Sequence, residues 1–211
     1  MPYVLVDVDG TIIDKKYNTT YKLLLDFFSE EKPRLWKIRS LILRTGCVIE
    51  SQINEHWSKL AILFSQLYLS IVLFMINYDQ LYSFAKKKLS EVNVDYELIN
   101  YLKKLGNTHI VTATIEPVAE LFSNLIGSDS YIATYLKTKN NRILYVKKRH
   151  LTNTKYYEIR KKGWFPYIYI VDNPEVEHIV SKNSKYTIKH ICCEQTEKVI
   201  NELKRLLDKS P

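Results

Sequence analysis

The feature that most constrains this chain is a short strand that ends in two carboxylates. Residues Tyr3 to Val6 (Y-V-L-V) are apolar and β-branched without alternation, the pattern of a strand buried on both faces in a parallel sheet. Asp7 and Asp9 appear where that strand must end, and Asp9-Gly10-Thr11 breaks the run. At about 3.3 Å per residue the two carboxylates lie roughly 6–7 Å apart in an extended chain and point the same way. Two like charges that close raise one pKa unless a cation neutralises them. The pair therefore asks for a divalent metal with oxygen ligands, most naturally Mg2+. Gly10 permits a tight turn beside a ligand, and Thr11 adds a hydroxyl. Ligands favour the carboxyl ends of strands in open α/β sheets, which sets this segment above an ordinary D-G turn.

The rest of the chain supplies such a sheet. From Val94 onward, strands and helices alternate. Tyr96 to Leu105 reads as an amphipathic helix capped by Gly106, and His109 to Thr112 as a short strand from which Ala113-Thr114 turns away. Glu116-Pro117 opens a helix over Val118 to Ile126. Tyr131 to Tyr135 and Ile143 to Val146 flank the polar turn Lys139-Asn140-Asn141 as a hairpin. A helix over Thr154 to Lys162, a strand over Tyr167 to Val171 ending on Asp172, and a helix over Pro174 to Ser181 follow. A strand over Thr187 to Ile191 and a helix over Glu194 to Leu207 close the series. This order predicts an α/β fold with a parallel sheet. Residues 1–14 and 93–211 form its core, and residues 15–92 an all-helical insertion after the first strand. A polar connector, Ile12 to Thr20, leads into that insertion. It holds helices over Tyr21 to Phe28, Arg34 to Leu43 (stopped at Thr45-Gly46) and Gln80 to Leu89, with the apolar run Leu60 to Ile76 among them.

With 46% apolar residues there is enough for a core, which excludes wholesale disorder. Lys and Arg outnumber acids 31 to 23, a net +8 that favours anionic partners unless it is only a generally basic surface. Phosphorylated substrates, nucleic acid and an acidic membrane face all qualify, and no specific nucleic-acid motif is present. The cysteines, Cys47, Cys192 and Cys193, are odd in number and two are adjacent, so no disulfide framework is expected and a reducing cytoplasm fits. The chain enters a core strand at once, and no secretory signal is expected. The run Leu60 to Ile76 falls near the lower limit for a membrane span; it reads either as a buried helix or as a peripheral membrane contact. Lys32 to Arg44 sets five basic side chains among Leu, Ile and Trp, which suits a solvated face, substrate attraction or an anionic membrane surface.

The segment Asp7-Val8-Asp9-Gly10-Thr11 resembles the first motif of the haloacid dehalogenase superfamily, most of whose members are Mg2+-dependent phosphatases. Val111 to Phe122 (V-T-A-T-I-E-P-V-A-E-L-F) is similar to the second motif of its phosphoserine phosphatase-like branch, with Thr112 as the phosphate-binding hydroxyl. That branch has a hairpin next and then a lysine opening the following helix. Lys155 is the best match, with Lys137 and Lys161 as lesser candidates. Asp172 resembles the metal-binding aspartate of the last motif. The branch usually has a second aspartate four residues on, where this chain has Val176 between Glu175 and Glu177; either glutamate could reach the metal or its water shell. The resemblance implies a Rossmann-like core with a helical cap and a phosphomonoester hydrolase acting on a small phosphorylated substrate. Asp7 would be the nucleophile and Asp9 the acid–base, with Mg2+ held by Asp7, the Asp9 carbonyl and Asp172. A membrane-associated lipid head-group phosphatase and a catalytically degenerate binding protein of the same fold are the alternatives.

Overall fold

The structure is a computed structural model that describes residues 2–14, 17, 20–54 and 58–209. Parts of the connector (residues 15, 16, 18 and 19) lie outside these. Six strands form one sheet: β1 (Tyr3–Val6), β2 (Thr108–Ile115), β3 (Tyr131–Lys139), β4 (Arg142–Lys148), β5 (Tyr167–Val171) and β6 (Tyr186–Lys189). Their spatial order is β4-β3-β2-β1-β5-β6, and every neighbouring pair is parallel except β3 with β4. The unbroken apolar character of β1 and β5 is explained by their central position, with helices covering both faces. The chain leaves β1 toward β2 on one side and returns to β5 on the other. The strand order therefore reverses at β1, whose carboxyl end is the place where open α/β sheets bind ligands.

Nine described helices cover the sheet. Those between β1 and β2 are α1 (Tyr21–Glu31), α2 (Trp36–Asn54), α3 (Ser58–Leu73), α4 (Tyr78–Leu89) and α5 (Tyr96–Leu105). Then come α6 (Glu116–Ile126), α7 (Thr152–Lys161), α8 (His178–Lys182) and α9 (Thr196–Asp208). Ile159 of α7 and Val180 of α8 pack with Leu5, Val111 and Tyr169 on one face. On the other face Val4, Val6, Ile110 and Ile170 share one continuous core with Phe27, Leu69, Leu81, Leu98, Phe122 and Leu203. The helices after β1 thus share their buried side with the sheet. They are stitched to the hairpin by Met75 N–H to Ile143 O (2.7 Å), Ile143 N–H to Ile76 O (2.9 Å) and Val146 N–H to Ser70 Oγ (2.9 Å).

Several boundaries differ from the sequence expectation. Gly46 does not stop a helix; α2 runs through it, and a Cβ there would stand 2.6 Å from the Tyr68 ring, so the glycine serves the close approach of α3. The apolar run is one helix, α3, as far as Leu73, and Met75 just beyond it lies in the left-handed region (φ 61°). Strand β2 does not turn away after Thr112 but continues to Ile115, with a register irregularity against β3 between Val111 and Ile115. Residues 174–177 are turn rather than helix. In the hairpin, Asn140 and Asn141 both take positive φ, the geometry of a two-residue primed turn. Among the described residues no helix is long and apolar enough to cross a membrane.

Candidate active site

Asp7 is the first residue past the last β1 pair. Its N–H still bonds Ile170 O at 3.1 Å, so the strand alternation carries on. Its side chain leaves on the face of Leu5, toward α7 and α8. There Oδ1 accepts the Val8 N–H at 2.8 Å and Oδ2 accepts from Lys155 Nζ at 3.1 Å. Asp7 is 7% exposed and Lys155 1%. Lys155 sits in the first turn of α7, whose start is closed by the Thr154 hydroxyl accepting the Leu151 N–H at 2.9 Å.

The ammonium of Lys155 also donates to Glu177 Oε1 at 2.8 Å. Burial pushes the Lys155 pKa down, but Asp7 and Glu177 outweigh it and hold the group above its ordinary value. For Glu177 the order differs. Burial drives its carboxyl up, Lys155 opposes, and the nearby charges of Asp7 and Asp172 add to the rise. Glu177 thus serves the lysine, while Glu175 is exposed and lines a cleft of about 360 Å3 with Asp172, Asn173, Lys189 and Ile191. Val176, at the position of the usual second aspartate, is 62% exposed.

Asp9 lies half-buried in a tight turn in which the N–H groups of Thr11, Ile12 and Ile13 converge on Val8 O. Gly10 is left-handed there (φ 78°), and a Cβ on it would meet Asp172 Oδ2 at 2.6 Å. The Asp172 carboxylate therefore lies directly on the loop that carries Asp7 and Asp9. Thr11 fixes this approach, because its Oγ1 accepts the Asp172 N–H at 2.9 Å. Thr112 is fully buried in β2, beyond the last β1–β2 pair, with its hydroxyl accepting the Thr114 N–H at 3.2 Å. Lys137 and Lys161, the lesser lysine candidates, are exposed.

Glu177 feels the charges of Asp7 and Asp172 here, and one buried ammonium, Lys155, pairs with Asp7 and Glu177. That excess of negative charge fits a further cation. Among the described residues no three His, Cys, Asp or Glu side chains form a complete metal cage. A site of carboxylates with few protein ligands is the kind in which Mg2+ keeps several waters. Two of these features escape sequence reading. The Thr11 tie to Asp172 spans 161 residues, and the Glu177 link to Lys155 shows only a charged residue near a strand end.

No family model matches this sequence, and no curated protein matches it. Its fold is similar to that of several solved structures, among them phosphoserine phosphatases. A phosphoserine phosphohydrolase-like protein from Francisella tularensis is similar over 100% of both chains, at 18% identity and a TM-score of 0.57. A phosphoserine phosphatase captured as an analogue of its phospho-aspartyl intermediate is similar over 93% of this chain and 98% of its own, at 12% identity and a TM-score of 0.53. Cytosolic 5'-nucleotidase IIIB bound to cytidine covers 98% of this chain with 77% of its own, at 11% identity and a TM-score of 0.59.

Proposed function

We propose that this protein is a phosphomonoester hydrolase that works through an aspartyl-phosphate on Asp7 and uses Mg2+. The observation that carries the reading is Asp7 itself, a carboxylate oriented by the Val8 amide and by buried Lys155, with Asp172 laid over the adjoining glycine. Asp7 attacks phosphorus in line, the P–O bond to the substrate alcohol breaks, and Asp9 gives that oxygen a proton. Asp9 then takes a proton from water, which attacks the phosphoryl-Asp7 and releases inorganic phosphate. Lys155 faces the oxygens of the transferring group and offsets their charge, and Thr112 reaches them once its hydroxyl leaves the Thr114 amide. Asp7, the Asp9 carbonyl and Asp172 would hold Mg2+, which supplies electrostatic stabilisation of the phosphoryl group. Helices α1–α4 would act as the cap that selects the substrate.

The test is a broad panel of small phosphate esters with and without Mg2+, run on wild type and on Asp7→Asn. Hydrolysis that needs Mg2+ and disappears in Asp7→Asn, at nearly unchanged thermal stability, is expected. Substantial residual turnover in the variant would remove Asp7 from its role. No Mg2+-dependent turnover on any ester would favour a binding protein that has kept the fold.

A further inference from the structure

The helices α2 and α3 each turn an apolar stripe outward. On α3, Leu60, Leu63, Leu67 and Ile71 recur at helical spacing and are 46–65% exposed, while Ala61, Leu69 and Val72 behind them are buried. On α2, Ile38, Leu41 and Val48 do the same at 53–64%. The two helices pack closely where Gly46 meets Tyr68. Seven apolar side chains on these two neighbouring helices thus stand 46–65% exposed, a grouping rather than the scattered single exposures of an ordinary surface.

Along the stretch that carries the stripes, the described exposed charges have one sign. From Lys32 to Ile76 the sequence holds six basic residues and two acids, a net +4 within a total of +8. Arg39 is turned inward onto the carbonyls of Val72 and Phe74, and Glu50 is held by Arg149 and Tyr68. Among the described residues of this stretch every exposed charge is therefore positive: Lys32, Arg34, Lys37, Arg44 and Lys59. Trp36 is half-buried at the start of α2, with the Lys37 ammonium 5.5 Å from its ring centre. Beside it lies a cleft of about 400 Å3 in which Arg34, Arg39 and Arg142 meet Phe27, Leu35 and Phe74. A second copy docked on this face would bring like charges together. A surface that is apolar inside and anionic outside satisfies the stripes and the cations at once, and a cleft of guanidinium and apolar walls suits a phosphate group with an acyl chain attached.

We propose that the α2–α3 face is a docking surface for a bilayer rich in anionic phospholipid. The helices would lie in the interface plane, with Leu63 and Leu67 in the acyl boundary and the Arg and Lys side chains at the headgroups. This inference does not depend on the hydrolase reading.

The test is co-sedimentation of the full chain with vesicles of phosphatidylcholine alone and with vesicles containing phosphatidylglycerol, at low and high salt. Wild type is expected to pellet with the anionic vesicles and stay in solution with the neutral ones. Arg34→Glu/Lys37→Glu/Arg44→Glu is expected to weaken anionic binding by roughly tenfold or more. Leu63→Asn/Leu67→Asn should do so by a similar factor, because these exposed side chains carry the apolar half of the contact. All are surface positions, and an unchanged circular dichroism melt shows that the variants fold. Wild type that ignores anionic vesicles at low salt overturns the proposal. Binding that the charge reversal leaves intact overturns it too. So does a dimer at micromolar concentration that Leu63→Asn/Leu67→Asn dissociates, since the face would then belong to a second copy of this chain.

Discussion

Lys155 joins two carboxylates that lie 148 and 22 residues away in sequence, and its removal exposes both at once. Lys155→Met should destabilise the protein by about 3–5 kcal/mol, the usual cost of stranding a buried charge, and should abolish turnover. Glu177→Gln keeps an acceptor for Lys155 and removes one negative charge. It should retain the fold and lower kcat more than KM, a split readable in steady-state kinetics. Gly10→Ala places a methyl group against Asp172 at a φ of 78°, and loss of Mg2+ dependence together with activity is expected. His150 gives a pH signature. It is fully buried against the edge of Tyr135, and burial pushes its pKa down to about 4. The folded value is depressed, so the stability it contributes is complete above the unfolded pKa near 6.5 and is lost as pH falls toward 4. Unfolding titrations should show about 3 kcal/mol of stability lost across that window, and His150→Gln should remove most of the slope. Of the site, the strand-end aspartates are visible in the sequence because their chemistry is local. Thr11 and Glu177 are visible as residues too, but their partners, Asp172 and Lys155, lie 161 and 22 residues away and no local pattern names them.

At the scale of elements, legibility followed periodicity. Helix α5 with its Gly106 cap and strand β5 stand at the residues their patterns predict, since a strong amphipathic stripe and an unbroken β-branched run each allow one reading. The hairpin turn is equally plain in Asn140-Asn141. Gly46 misleads because a helix-breaking residue and a close-packing residue are the same letter; only the Tyr68 ring, from another helix, tells them apart. Gly46→Ala should therefore cost about 1–3 kcal/mol by overpacking, despite the better helix propensity of Ala, and denaturant melts would show it. The end of β2 was lost to its irregularity, which no spacing rule announces. The short α8 follows a turn in which Asn173 Oδ1 accepts the Val176 N–H at 3.3 Å, a local bond that competes with helix start.

For the whole molecule, the single core beneath α1–α6 and the sheet means that the helices after β1 and the strands should melt together. Calorimetry is expected to give one transition, with no earlier loss of the helical part. The register of β1 carries a further consequence. Val4 pairs with Thr108 and Tyr3 with Tyr167, so the strand that positions Asp7 is made long before either neighbour exists. During synthesis the apolar α2 and α3 emerge while that strand is still unpaired. An apolar, half-finished surface thus stays open until β5 has been made, and a fragment ending before Tyr167 should aggregate rather than fold. Asp7 finds its full surroundings only when strands and helices more than a hundred residues further along have joined the sheet.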